Sequence, residues 1–558
     1  MKKIIAILLA MVMLLGLLSG CGQEAATDAP ETAAPAESKA PEAAPEEETP
    51  VEEEPDYLKM ILRSTNADGS AFSQTFINYN NDNYMLIWEP LLGFDANNKE
   101  YVNILADSYE MSPDGKTWTV KLIDAYWHDG QPVVAEDVAF TFAMHLQSGG
   151  TAGSQLTSLK GYQAVVDRTA DRFEGIVCKD DKTVVFEFDA PNYLFESTLA
   201  CHGFSILPAH CFEGLNADEV ITSEYWAAPI GSGAYKMNEV AWPDYVTLTA
   251  NDNWHGGTPG IKDIVLIRYT DWSIIPSDLM ADNLEYFYGI SEVNANTVTA
   301  TNPNMTLVVE EAGYTLGLMV NQYDTARPEM RDARVRKAIN MIIDKQMIAD
   351  YIGVQASVAT NYSAMDYNTD IPKWERDVEG GKKLLEEAGF DFSKPLRLWG
   401  TGTDQQTIDI FDIIVANMAE AGVTVEYSNG ADDAITAIYE TRDYDIYYCG
   451  TTGMNIDMYI GLTSGMIYDA WYYDEIADYR YERYQALFDQ YRMTATAEGR
   501  TEILDQIQIN AMEDMYAIPL WHRNSMLMHT SDLKGFTFWG SDFDSIAYFD
   551  YTQWYLDR

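Results

Sequence analysis

The chain has 558 residues, 47% of them hydrophobic, and carries a formal charge of −51 with a pI near 4.2. That length suits roughly two to four domains or sub-lobes with ample core. So negative a charge excludes the basic stripe that a phosphate backbone requires, and nucleic acid as a partner with it. Residues 1–20 read as an export signal: Lys2-Lys3 is the basic start and Ile4 to Leu18 an apolar core too short to span a bilayer comfortably. Leu18-Ser19-Gly20-Cys21 reads as a lipobox, with cleavage before Cys21 and lipid on its thiol; an ordinary secretory signal or an uncleaved anchor is the alternative. Residues 21–56 continue in Ala, Pro and Glu, with almost nothing apolar to bury, as a disordered acidic tether.

Leu58 to Arg63 then reads as an opening strand, and Leu86 to Leu92 as a helix running into a short strand. Ser112 to Leu146 is a compact unit. Asp114-Gly115 makes a hairpin turn, and Lys116 to Leu122 alternates with Trp118, Val120 and Leu122 on one face. His128 to Pro132 turns again. Glu136 and Asp137 then open a helix whose stripe is Val138, Phe142 and Leu146. Val134 precedes that helix without the hydroxyl of a good N-cap. Thr183 to Phe188 alternates as a strand, and Tyr473 to Asp489 and Ala497 to Asp514 are amphipathic helices. In an exported protein Cys178, Cys201, Cys211 and Cys449 can form disulfides; Cys201 and Cys211 are the candidate pair, though spacing does not decide connectivity.

The DGKTW…DGQP…AEDVAF stretch within Ser112–Leu146 resembles the family 5 extracellular solute-binding proteins, the ligand-capturing subunits of peptide and nickel ABC importers. Further matches follow in order: Glu89 in Leu86–Leu92, Ile104–Glu110, Ser205–His210, Pro229–Tyr235, and Asn251–Trp254. A longer match from Val320-Asn321 takes in a helix from Arg331 to Asn340 that continues through Ile343–Lys345. Gly380–Phe390 (with Gly381 where a small helix former is usual and Gly389 at C′), Ile408–Val425, Tyr444–Ile446 and Ala517–Leu520 complete it. The resemblance implies an α/β, two-lobed periplasmic-binding-protein-like (type II) fold with an extra subdomain in the first lobe. Lobe I would be 57–88, 200–318 and 518–558, the extra subdomain 89–199, and lobe II 319–517, with ligand in the cleft between lobes.

Catalytic motifs (HExxH, GxSxG, CxxC, a Walker loop) are absent from the sequence, so no enzyme and no cofactor is expected. Cys201-His202 and His210-Cys211 do not meet zinc spacing, so no metal site is assigned. By the resemblance Tyr126, Trp127 and His128 lie near the cleft mouth. Tyr126 is the better ligand contact, while Trp127 has a core position as its alternative. Asn321, where the lobe II match begins, and Trp399, a stacking face, join the candidate ligand-binding set, and Tyr444, Tyr447, Tyr448, Tyr459, Tyr468, Trp471 and Tyr472 are further stacking candidates with core or surface positions as their alternative. Specificity is expected within Asp445–Gly461. Peptide-binding members carry G-W-x-x-D there, the Asp pairing with the ligand's ammonium; here Gly450, Thr451 and Met454 occupy those places. Asn455 is a neighbouring candidate, and Asp457 either substitutes for the missing carboxylate or faces solvent.

The expected function is a monomeric, lipid-anchored, extracytoplasmic receptor that passes a small solute to an ABC permease and ATPase complex. Oligopeptide is the leading ligand class by family frequency. A metal or metallophore, an oligosaccharide, or a surface receptor or adhesin role without transport are the alternatives.

Overall fold

The computed structural model of the chain describes residues 57–63, 72–73, 83–95, 98, 100–321, 326–357, 368, 370–430, 436–452, 484, 486–536 and 548–558. Cys21, the expected signal and tether, and Met454, Asn455, Asp457, Tyr459, Tyr468, Trp471 and Tyr472 lie outside these residues.

β1 (Tyr57–Leu62) enters the large sheet, and a hairpin of Leu92–Asp95 with Glu100–Asn103 follows. Next comes a separate antiparallel sheet of β2 (Ala106–Met111), β3 (Thr117–Leu122), β4 (Ile176–Asp180) and β5 (Thr183–Glu187), in the order β2-β3-β5-β4. The expected alternation holds: Trp118, Val120 and Leu122 are buried and Lys121 is exposed. The turn before β3 is built by Gly115 at φ +66° and by Asp114 Oδ1, which accepts from Ser112 Oγ (2.6 Å) and the Lys116 N–H (3.2 Å). α1 (Ala135–Gln147) lies over this sheet, with Phe142 5.3 Å from the Phe186 ring and stacked on Phe204 at 4.5 Å. Its N-cap, Val134, makes no side-chain cap bond, but Asp137 reaches back to accept the Val134 N–H at 2.9 Å. Asp137 also accepts the Ala209 N–H at 2.9 Å, tying α1 to the following chain. Burial raises this carboxyl above its ordinary range, against the pull of those bonds.

The large sheet resumes with β6 (Tyr235–Ala241), β7 (Tyr245–Ala250), β8 (Asp263–Arg268) and β9 (Tyr286–Tyr288), the last followed by α2 (Glu292–Thr301). β1 runs parallel to β8 and β9. β10 (Met305–Val320) is followed by α3 (Ala333–Ile342) and α4 (Lys345–Ile352). The single helix expected through Ile343–Lys345 is two, because Ile343 is extended (φ −71°, ψ 129°) and Asp344 caps α4 by accepting the Met347 N–H at 2.9 Å. α5 (Val378–Glu387) packs on α3 through Gly381, where an added Cβ would stand 2.8 Å from Ile342 Cγ1 and 3.0 Å from the Ala338 carbonyl. That approach explains a glycine inside a helix despite its cost of about 1 kcal/mol relative to Ala. β11 (Leu396–Gly400), α6 (Gln405–Glu420), β12 (Val425–Asn429), β13 (Ile446–Thr452), α7 (Ala486–Met493), α8 (Ala497–Asp514) and β14 (Ala517–Thr530) complete the elements that matter here.

The large sheet runs β12-β11-β13-β10-β14-β9-β1-β8-β7-β6, with Gln355–Ala356 also paired to β14. β10 and β14 join its two halves. Met305 to Glu311 pair with Thr530 to Asn524, Tyr314 to Met319 pair with Arg523 to Ala517, and the register shifts between Glu311 and Tyr314 and again between Leu316 and Gly317. Such bulges bend and twist a strand pair. The two halves have separate cores: one cluster runs from Leu58 through the small sheet to Trp554, and another gathers Leu318, Val335, Leu396, Phe411, Ile446 and Ile518. The result is a two-lobed α/β fold. The small sheet and α1 share the first lobe's core, so they are an elaboration of that lobe.

The candidate Cys201–Cys211 disulfide is not formed. Between 3-10 turns at His202–Phe204 and Ala209–Phe212 the chain is extended at Ser205 and Pro208, and Ile206 and Leu207 are buried, their N–H groups donating to the Glu89 carbonyl (2.8 Å) and Thr141 Oγ1 (2.9 Å). An extended run carries its ends apart, whereas a disulfide needs its Cα atoms within about 7 Å.

Candidate ligand cleft

Each lobe is part-parallel, so its strands' carboxyl ends and the helices that follow them open on one edge, the usual place for a ligand in such sheets. The two edges face one cavity of about 680 Å³. Lobe I contributes the turn after β9, Gly289 to Asn294, and from β14 Arg523, Asn524 and Met526. Lobe II contributes Tyr351, Ile352 and Val354 at the end of α4, and Asp404 to Thr407 at the start of α6. Leu316, Tyr448 and Trp521 of the crossing strands also line it, the Trp521 indole N–H donating to Tyr448 Oη at 3.1 Å. Two helix N-termini therefore open on the cavity. Ser291 caps α2 by accepting the Asn294 N–H (3.4 Å), and Asp404 caps α6 by accepting the Thr407 N–H (2.9 Å) and hydroxyl (2.8 Å).

A buried network braces lobe I. Glu89, 6% exposed, accepts from Trp254 Nε1 (2.8 Å), Ser232 Oγ (3.1 Å) and His255 Nε2 (3.1 and 3.0 Å to its two oxygens). The Gly231-Ser232-Gly233 loop is a packing device: a Cβ at Gly231 or Gly233 would stand 1.8 or 2.8 Å from the Ile87 carbonyl oxygen. His128 clamps the same loop, accepting the Gly231 N–H at Nδ1 (3.0 Å) and donating from Nε2 to the Gly233 carbonyl (3.1 Å). Those partners require the neutral ring, and burial pulls its pKa down to about 4.

Lobe II has a counterpart in Asp445. Its side chain is fully buried and accepts the backbone N–H groups of Arg327 and Arg397 (2.9 Å each), together with Arg397 Nε (3.2 Å) and Nη2 (2.9 Å). Asn321, also 0% exposed, donates both Nδ2 hydrogens to the Arg442 (2.9 Å) and Tyr444 (2.7 Å) carbonyls. It fastens the chain just before Asp445.

Among the described residues, the candidates from the sequence do not gather at the cavity. Tyr126 is 50% exposed on the elaboration of lobe I and bridges to Pro132. Trp127 is buried with its indole N–H on Asp137 Oδ2 (3.3 Å), so the core alternative holds for it. His128 bonds to the Gly231 N–H and the Gly233 carbonyl, and Asn321 Nδ2 to the Arg442 and Tyr444 carbonyls. Trp399 packs on Met319, Ile438, Tyr444 and Tyr447, on the face of β11 opposite Leu398. Thr451 pairs with Thr315 in β13 and β10. Of the aromatic residues considered, Tyr448 lines the cavity. Of the residues missed, Glu292, Asp404, Gln405 and Gln406 follow strand ends, whereas Trp521 and Arg523 lie within β14. Two strand–Gly–cap junctions, Tyr286–Glu292 and Leu396–Gln405, were the signal available in the sequence.

Residues 100–468 match the model described as bacterial extracellular solute-binding proteins, family 5 Middle. A Brucella ovis protein named for ABC-transporter peptide binding is 26% identical over 352 residues, 61% of this chain and 62% of that protein, so the match spans less than two thirds of that relative. The dipeptide-binding protein of Escherichia coli is 23% identical over 492 residues, 81% of this chain and 86% of its own. Among solved structures, the substrate-binding protein CtaP of Listeria monocytogenes aligns with a TM-score of 0.70 at 22% identity, over 90% of this chain and 100% of that one. NikZ of Campylobacter jejuni, in complex with Ni(L-His), aligns at 0.71 and 20% identity over 90% and 99%. At these identities the structures speak to the fold.

Proposed function

The chain belongs to the bacterial extracellular solute-binding proteins, family 5, and from that premise we propose that it is the capture subunit of an ABC importer, taking an oligopeptide between its lobes and delivering it to a membrane permease. The family consists of solute-binding proteins, not enzymes. The observation that carries the reading is the cavity walled by both lobes and crossed, among the described residues, by β10 and β14. A ligand touching both walls favours the closed over the open arrangement, which is the work a capture protein performs. A peptide suits the wall chemistry. The side-chain amides of Asn294, Gln405, Gln406 and Asn524 can each donate and accept, as a peptide backbone demands, while Trp521 and Tyr448 offer apolar faces.

Mass spectrometry of ligand released from the purified protein, with thermal melts against peptide, sugar and metal-complex libraries, tests this. Peptide ions and a peptide-dependent rise in melting temperature are expected, worth about 2.7 kcal/mol at a hundredfold excess over Kd. Melts unmoved by every peptide would end the oligopeptide assignment. The lipid anchor belongs to the same proposal: Cys21→Ser should transfer the protein from the membrane to the soluble fraction, and unchanged fractionation would reject the lipobox.

A further inference from the structure

We infer that Glu292 of lobe I and the carboxyl end of α4 in lobe II grip the ammonium group of a short zwitterionic ligand between them, while Arg523 takes its carboxylate. This rests on the peptide-capture reading and names the subsites that reading leaves open.

Glu292 lines the inter-lobe cavity, and its Oε2 is shielded from solvent without a hydrogen-bond partner. As the first residue of α2 it suits that helix's positive end, but the helix end does not explain a buried oxygen that receives no donor. What faces that oxygen makes the case stronger. A Cβ at Gly353 would stand 2.4 Å from Oε2, so the carboxylate abuts the left-handed residue that closes α4. A helix C-terminus carries partial negative charge on carbonyls that no further turn can satisfy. The unpartnered oxygen of lobe I thus sits against the negative end of a lobe II helix. An ammonium supplies three donors and a positive charge to that gap, and in filling it draws the lobes together.

The opposite charge is close by on the same wall. Arg523 lines the cavity, and its Nη2, like that of Arg63, comes within 3.8 Å of the Cβ position of Gly289, three residues before Glu292. Arg63 Nη2 donates to the Tyr288 carbonyl, so it is the cavity-lining Arg523 whose fork suits a carboxylate. A cation post and an anion post lining one cavity select a ligand carrying both charges over a purely cationic or purely anionic one.

The test uses full-length, detergent-solubilised protein with three probes: a mixed tripeptide library, its N-acetylated form and its C-amidated form. The readout is the concentration giving half-maximal thermal stabilisation. Wild type should prefer the free library over both blocked forms by roughly tenfold or more, as for a charge-assisted bond. Glu292→Gln should erase the preference over the acetylated form without weakening binding of that form, and Arg523→Gln should do the same for the amidated form. Binding of the blocked form, with the ligand-free melt, serves as each variant's folding control. If Glu292→Gln keeps the full preference for free amines, the inference falls and peptide capture stands. If wild type responds to none of the three libraries, both fall.

Discussion

Asp445→Ala should lower the unfolding free energy by about 3–5 kcal/mol, the range for removing one partner of a buried ion pair. Asp445 serves four donors from two separate segments: the Arg327 N–H after the end of β10, and the N–H, Nε and Nη2 of Arg397 on β11. Without the carboxylate the two backbone N–H groups lose their acceptor in the interior. The Arg397 guanidinium, whose charged form is favoured first by its hydrogen bond to Asp445, keeps Asp443 as its outer partner. Asp445→Asn, which keeps an acceptor oxygen, should cost less than Asp445→Ala. The measurement is the urea midpoint followed by Trp fluorescence; a midpoint within error of wild type for the alanine variant would refute a structural role. Because β13 leads from Asp445 to Tyr448 in the cleft, ligand affinity should fall in parallel.

Glu89→Ala should have a comparable effect in lobe I, again about 3–5 kcal/mol, since it strands the Trp254 indole N–H, the Ser232 hydroxyl and the His255 ring at once. This site also titrates. Burial is the largest influence on His255 and pulls its pKa down, but Glu89's charge and hydrogen bond together outweigh it and leave the imidazole raised above its ordinary value. A histidine raised in the folded state contributes stability that is full below its unfolded pKa of about 6.5 and is lost as pH climbs through the folded value. His255→Gln should therefore destabilise most at pH 5.5, and its difference from wild type should shrink toward pH 8.5. A difference that grows with pH would reverse the assignment. His128, pulled the opposite way, is neutral across that window, so the two histidines are separable.

The local pattern of the chain was readable wherever one element decides its own form. The Trp118, Val120, Leu122 alternation, the Asp114-Gly115 turn and the glycine after α5 act through atoms a few residues away. The break between α3 and α4 was missed although its capping residue was in view, because an apolar stripe does not report a local change of ψ at Ile343. The motifs that carry the family resemblance turned out to be packing devices. Gly231 and Gly233 admit the Ile87 carbonyl, Glu89 gathers donors from Ser232 to His255, and Asp445 joins β11 to the end of β10. Each acts within the core of its own lobe, and for that reason they do not identify cargo.

By itself, then, the sequence determined the class of fold and the family, since hydrophobic period, turn chemistry and the order of motifs are properties of short stretches. The cleft was decided only in three dimensions. Glu292, at a helix start, looks like a dipole-matched surface acid, and Gly353 like an ordinary helix stop. The chemistry appears when two lobes folded from distant segments set a carboxylate against a helix's negative end. Even the brace around His128 joins residues 103 apart in the chain. Charge and hydrogen-bond demand depend on distances through space, and β10 and β14 fix those by holding both lobes on one sheet.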